Sequence, residues 1–207
     1  MNPSQAQLQR IRDLTQKLNN ELADLQTILS MPDVPIPAQS PRLVMSWPCG
    51  DINRRTLAPW YDATGYATLY NGGKAYHTGH DLNLSDYGDT GAEVRAAADG
   101  LIVFAGFVAG WQGQVVVIRH TLEDGRLFWT RYAHIKGTLS SSQVVQRGEL
   151  IGHIADYLPA GKVNDHLHID GSWKDLSKAP DDWPGLDLQR LKVDYFDLLK
   201  MIGERLP

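Results

Sequence analysis

Three apolar, β-branched and aromatic runs lie between residues 101 and 135: "LIVFAGFV" (101–108), "QVVVIRH" (114–120) and "LFWTRYAHI" (127–135). The glycine-bearing turns "AGWQG" and "EDG" separate them. Parallel neighbours need a crossover of about a dozen residues or more, usually a helix. No such room exists here, so the runs predict consecutive antiparallel strands and a mainly β fold. "QVVQRGELIGHIAD" (143–156) predicts two further short strands around Gly148, and "LQRLKVDYFDLLKMI" (188–202) predicts one closing helix.

The N-terminal part has a different pattern. Residues 4–30 predict a helix, opened by Ser4 and Gln7 as a capping box. Ile11, Leu14, Leu18, Leu22, Leu25 and Leu29 then recur at steps of three and four, giving one apolar stripe. That stripe suits a docking or coiled-coil helix, or a helix packed on its own domain. From Met31 to Pro41, four prolines in eleven residues exclude a helix and favour an extended spacer. The expected organisation is an N-terminal amphipathic helix (1–31), a proline-rich linker (32–42) and a globular domain (43–207).

Composition narrows the function classes. With 43% hydrophobic and 21% charged residues, the chain can bury a core. A net charge of -4 without a basic run argues against nucleic acid as a partner. The single cysteine, Cys49, excludes an internal disulfide and a cysteine-built zinc site, and reads as a small packed residue. No stretch approaches 18 uninterrupted apolar residues, so no membrane span is expected. The first twenty residues lack the basic start and apolar run of a secretory signal.

Chemistry concentrates in the histidines. Four of the seven sit in two tight groups, "HTGHD" (77–81) and "HLH" (166–168), and "YAH" (132–134) adds another on a strand. In an extended segment side chains alternate sides. His77, Gly79 and Asp81 then share one side and His80 takes the other. In "DHLHID" the same rule places His166, His168 and Asp170 on one face and Leu167 and Ile169 on an apolar one. A lone histidine is more often a satisfied core residue than a ligand, and His120 and His153 read that way. Together the groups supply the three nitrogen or oxygen ligands of a catalytic zinc, with a fourth position for water. Ligand type alone also admits Fe²⁺ or Mn²⁺. The same-side spacing here is His-x-x-x-Asp, unlike the tight His-x-Asp of iron oxygenases. No His-Glu-x-x-His occurs, so a glutamate base of that kind has no counterpart.

In order along residues 77–170, several pieces resemble the M23 family of lysostaphin-type zinc metallopeptidases, which cut peptides of bacterial cell-wall peptidoglycan. "HTGHD" is similar to the family's His-x-Gly-x-Asp, and "TGAEVRAAADGLIVFAG" to its Gly-x-x-Val-x-Ala-x-x-Asp-Gly. "IRH" with "EDG" and "RYAHI" matches the strands leading to Tyr-x-His. "VVQRGELIG" matches Val-x-x-Gly-x-x-Ile-Gly, and "HLHID" matches His-x-His and an acid. The resemblance implies an antiparallel β-sheet domain with an open groove and one Zn²⁺ per chain, held by His77, Asp81 and His168. It implies His134 and His166 as the catalytic, non-ligand histidines. Asp170 would either orient a ligand histidine or be a solvated or structural acid, and Tyr70 or Tyr76 could donate to the oxyanion or simply pack. Peptidoglycan peptides are the implied substrate, and the cell envelope or the extracellular space the implied location.

Two stretches depart from a minimal member. "YLPAGKVNDHLH" replaces small residues with Asn164 and Asp165 before the histidine pair. Residues 48–76, with Trp60, Tyr61, Tyr66 and Tyr70, suit either a groove wall or a loop packed on the sheet. A rival reading is a non-catalytic relative that binds the wall or activates amidases through the N-terminal helix. Such relatives typically lose ligands, and this chain keeps all three.

Overall fold

Residues 115–118, "VVVI", show no apolar–polar alternation because their strand is covered on both faces. A computed structural model describes residues 7–10, 12–19, 42–86, 88–137, 139–156 and 165–207. The chain divides into two units, residues 1–38 and 39–207. In the first, α1 comprises the helical residues 7–10 and 12–19, with Leu14 and Leu18 exposed. The rest of the expected helix and the proline-rich linker, apart from Arg42, lie outside the described residues.

The second unit begins with β1 (Trp60–Thr64), β2 (Leu69–Tyr70), β3 (Ala75–Tyr76), β4 (His80–Leu84) and β5 (Glu93–Arg95). The three central runs become β6 (Gly100–Phe107), β7 (Gln114–Thr121) and β8 (Leu127–Lys136). After them come β9 (Val144–Val145), β10 (Leu150–Ile154) and β11 (Leu167–Ser172). The main sheet runs β1-β4-β11-β8-β7-β6-β9, and its neighbours pair antiparallel. No helix of the described residues is long and apolar enough to cross a membrane.

Strand parity separates two cores. Val116, Ile118, Phe128, Tyr132, Leu167 and Ile169 enter one buried cluster with Met45 and Ile102. Val115, Val117, Trp129, Ala133 and Tyr195 form a second one. Cys49 is buried in the first, and desolvation pushes its thiol well above the ordinary range, so it is inert packing.

The single closing helix predicted over 188–202 is instead two, α2 (Leu188–Asp194) and α3 (Leu198–Arg205), with β12 (Tyr195–Phe196) between them. Tyr195 and Phe196 pair with Ser172 and Gly171 of β11, and the Tyr195 hydroxyl donates to the Asp182 carbonyl. Pairing with β11 overrides the helical periodicity. Asp197 restarts the helix by accepting from the Lys200 N–H.

His120, at the end of β7, is structural. Its Nδ1–H donates to the Asp99 carbonyl and its Nε2 accepts from the Thr130 hydroxyl, at 2.8 and 2.7 Å. Burial holds its pKa down at about 4, against the opposing pull of the Asp99 carbonyl. On unfolding the ring regains its ordinary pKa near 6.5, so the unfolded chain binds the extra proton between those values. The native state should therefore lose about 3 kcal/mol from this residue as pH falls from 6.5 to 4. Urea unfolding across that range should show a shallower pH dependence in His120→Gln than in the wild type.

Candidate metal centre

β4, β11 and β8 lie side by side, and their register decides which side chains meet. His168 stands opposite Asp81 on one neighbour and Ala133 on the other, while Asp170 stands opposite Arg131. Directly opposed residues of a sheet share a face. His168 Nδ1 accordingly lies 3.1 Å from Asp81 Oδ1. His77 directly follows β3, and a bend at Thr78 and Gly79 separates it from β4, yet it reaches the same side. Its Nε2 is 3.1 Å from Asp81 Oδ1 and 3.0 Å from His168 Nδ1.

Gly79 makes that bend possible. A Cβ at this position would lie 2.1 Å from the Ile169 carbonyl oxygen and 2.5 Å from Asp170 Cβ. No side chain fits where the bend before β4 meets β11. His80 points to the opposite side, between Asp62 Oδ2 at 2.7 Å and Asp197 Oδ1 at 3.2 Å.

His77, Asp81 and His168 thus present three ligand-type atoms in a near-equilateral triangle. Tetrahedral zinc, with bonds of about 2.0–2.1 Å, separates its ligand atoms by roughly 3.3 Å. Sides of 3.0–3.1 Å fit such an ion after a small expansion. Burial would raise the Asp81 carboxyl, but hydrogen bonds with His168 and His77 hold it well below the usual carboxylate range. It is an anion ready for a cation.

Behind the triangle stands a buried ion pair. The second nitrogen of His168, Nε2, lies 3.2 Å from Asp170 Oδ2. That oxygen also accepts from Thr78 Oγ1 at 2.7 Å, from Arg131 Nε at 3.1 Å, and from Arg131 Nη2. Arg131 and Asp170 are both fully buried. Burial opposes ionisation of Asp170, and the Arg131 charge outweighs it, so the carboxyl stays below its ordinary range. With Asp170 accepting at Nε2, the His168 lone pair belongs to Nδ1, inside the triangle. His77 differs, since its buried Nδ1 has no hydrogen-bond partner among the described residues.

A cleft of about 470 Å³ opens over the triangle and is lined also by His134, His166, Tyr70, Gly110, Trp111 and Trp183. The rings of His134 and His166 meet edge to face with centroids 4.9 Å apart. His166 Nε2 lies 3.5 Å from Asp81 Oδ1. His134 Nδ1–H donates to the Gln112 carbonyl at 2.8 Å, which puts the neutral ring's lone pair on Nε2. Burial, helped by the charge of neighbouring His166, pushes the His134 pKa down to about 4.

Strict alternation along β8 would turn His134 toward the core with Tyr132. A bulge prevents this: between the pairs Val116↔Tyr132 and Gln114↔Ile135, β8 spends one residue more than β7. His134 occupies the left-handed region, at φ 60°, and Ile135 returns to the core. Gly113, at φ 71°, packs against the His134 backbone.

Tyr70 lines the cleft, its ring 5.1 Å from that of His77, and burial raises its phenol so that it remains a donor. The Tyr76 side chain is not among the lining residues. Its carbonyl accepts from Trp183 Nε1 at 3.0 Å. Of the aromatic residues in 48–76, Trp60 is in the core, Tyr61 is exposed and the Tyr66 hydroxyl donates to the Tyr195 carbonyl. Tyr70 is the member of that group at the cleft. The wall is built instead by Trp111, whose segment reads in sequence as a turn, and by Trp183. Both pack beside His168, at 5.4 and 5.6 Å between ring centroids. Most of the loop before His166, residues 157–164, lies outside the described residues.

The sequence profile of Peptidase family M23 matches residues 75–180. Among solved structures the chain is similar to the antimicrobial peptidase lysostaphin from Staphylococcus simulans, at 19% identity and a TM-score of 0.50. That match covers 81% of this chain and 56% of lysostaphin, so the chain spans little more than half of that protein's length. It is also similar to a chain in the crystal structure of the SpoIIIAH and SpoIIQ complex, at 15% identity and a TM-score of 0.50. There the match covers 76% of this chain and 99% of the other. These two likenesses concern the fold. No curated protein matches the chain in a sequence comparison.

The bulge yields a stability prediction. Alanine at Gly113 would keep a left-handed φ and bring its Cβ within 3.0 Å of the His134 Cα. Gly113→Ala should cost about 1–3 kcal/mol by urea denaturation, more than a left-handed substitution in open space. The exposed turn glycine Gly125, at φ 83° with nothing within 4 Å, is the comparison for Gly125→Ala.

Proposed function

Because the chain belongs to peptidase family M23, we propose that residues 43–207 form a zinc-dependent endopeptidase acting on the peptides of bacterial cell-wall peptidoglycan. Its place of action would be the cell envelope or the extracellular space. The observation that carries this reading is the convergence of His77, Asp81 and His168 beside His134 and His166 in one open cleft. We assign the first three as ligands of one zinc per chain. When bound, that ion would supply a Lewis acid for the scissile carbonyl and make the attacking water acidic.

The remaining work falls to the protein. His134 is neutral at pH 7 and fixed through Nδ1 to the Gln112 carbonyl, so its Nε2 is the atom that takes a proton. His166, facing His134 and Asp81, is placed to donate to the oxyanion or to the leaving amine. The Tyr70 phenol, kept protonated, supports the same oxyanion. Trp111 and Trp183 line the cleft and pack beside the His168 ring. Leu14 and Leu18 of α1, exposed on the predicted stripe, support a separate docking role for residues 1–31, onto a protein partner or a second copy.

Digestion of purified peptidoglycan, with new amino termini identified by mass spectrometry, tests this function. The wild type should release peptides and stop when a chelator is added. His166→Ala should keep its zinc and lose about 10²–10⁴-fold in rate. Intact peptidoglycan alongside one bound zinc per chain would refute the peptidase reading. It would favour a non-catalytic wall-binding or amidase-activating role.

A further inference from the structure

Arg131 is a fully buried cation to which none of the steps above assigns a task. Its contacts reach both halves of the site. Nε and Nη2 grip the Asp170 carboxylate, and Nη2 also donates to Thr78 Oγ1 at 3.2 Å, next to His77. Nη1 donates to two carbonyls of the segment after β11, Pro180 and Asp182, each at 2.9 Å. The guanidinium carbon lies 4.8 Å from the Trp111 ring centroid and 5.6 Å from that of Trp183. Ion, carbonyl and ring contacts therefore all converge on one planar group.

We infer that Arg131 is a positioning residue for the metal centre: through Asp170 it fixes the ring of His168, and through Pro180 and Asp182 it holds Trp183 beside that ring. A carboxylate gripped by the guanidinium fork cannot rotate, so Oδ2 stays aimed at His168 Nε2. With that nitrogen hydrogen-bonded, Nδ1 faces Asp81 and His77. The guanidinium also packs against both tryptophan rings, and its remaining donors tie down the carbonyls of Pro180 and Asp182. Lysine would bring the charge but not the fork, and could not serve the carboxylate and both carbonyls at once. A charge buried this completely is costly until its partners offset it. A role confined to folding would not require those partners to end on a ligand and on the cleft wall. The inference rests on His168 being a ligand, and not on the chain being catalytic.

The test is the zinc affinity of Arg131→Lys, measured by competition with a chromophoric chelator on protein shown to be folded. The absorption spectrum of the cobalt(II)-substituted protein accompanies it. The expected result is binding weakened about 10–100-fold with an altered cobalt spectrum. His153→Ala, on an exposed strand position, should match the wild type. A folded Arg131→Lys with unchanged zinc affinity and cobalt spectrum would overturn the inference. Should that variant not fold, the charge-balanced Arg131→Gln/Asp170→Asn takes its place under the same criteria. Should neither fold, nitrogen-15 NMR of the zinc-loaded wild type decides. A proton on Nε2 of His168 with the metal on Nδ1 supports the inference, and the reverse overturns it. Tight zinc binding by an inactive wild type would refute the peptidase reading alone.

Discussion

Arg131 carries a permanent charge into a part of the sheet that water does not reach, and the architecture around the cleft follows from that cost. The charge needs an anion, and Asp170 stands directly opposite it across the β8–β11 pairing. It needs acceptors for its remaining donors, and the carbonyls of Pro180 and Asp182 provide them. Meeting those needs sets the β8–β11 register, draws the segment after β11 over the sheet and brings Trp183 to the cleft. Leu167 and Ile169, one residue out of phase on the same strand, belong to the apolar core beneath. One strand thereby carries a polar, charged face and a hydrocarbon face, and a one-residue slip would exchange them.

A second constraint acts on β8. The strand must send Tyr132 and Ile135 to the core and also deliver His134 to the cleft. Two-residue alternation cannot satisfy both. The extra residue of the bulge resolves the conflict at the expense of a left-handed histidine. Non-glycine residues in that region are uncommon, and they cluster where function over-determines the backbone. Gly79 plays a comparable part just before β4, where the chain passes β11 too closely for any side chain.

These two devices explain what was and was not legible in the sequence. The runs at 101–108, 114–120 and 127–135 announced β6, β7 and β8 to within a residue or so at each end, because short turns leave no topological choice. Parity also separated His168 from Leu167, since β11 is regular there. It put His77 and Asp81 on one side although a bend at Thr78 and Gly79, where only glycine fits against β11, interrupts the extended run between them. It could not foresee the bulge at His134, which arises from competition between two tertiary demands. The closing helix over 188–202 was broken by pairing with Gly171 and Ser172, long-range contacts that local periodicity does not contain. Arg131 and Trp183 are ordinary residues in their own neighbourhoods, 52 positions apart, and only the fold makes them partners.

In the proposed centre the histidines divide the work: His77 and His168 would join Asp81 around the zinc, while His134 and His166 stand beside it. X-ray absorption at the zinc K-edge of the purified protein addresses that division directly. The expected coordination shell holds two imidazole nitrogens and oxygen donors at about 2.0–2.1 Å, with no sulfur. A shell of three or four imidazoles would draw His134 or His166 into the ligand set and contradict it.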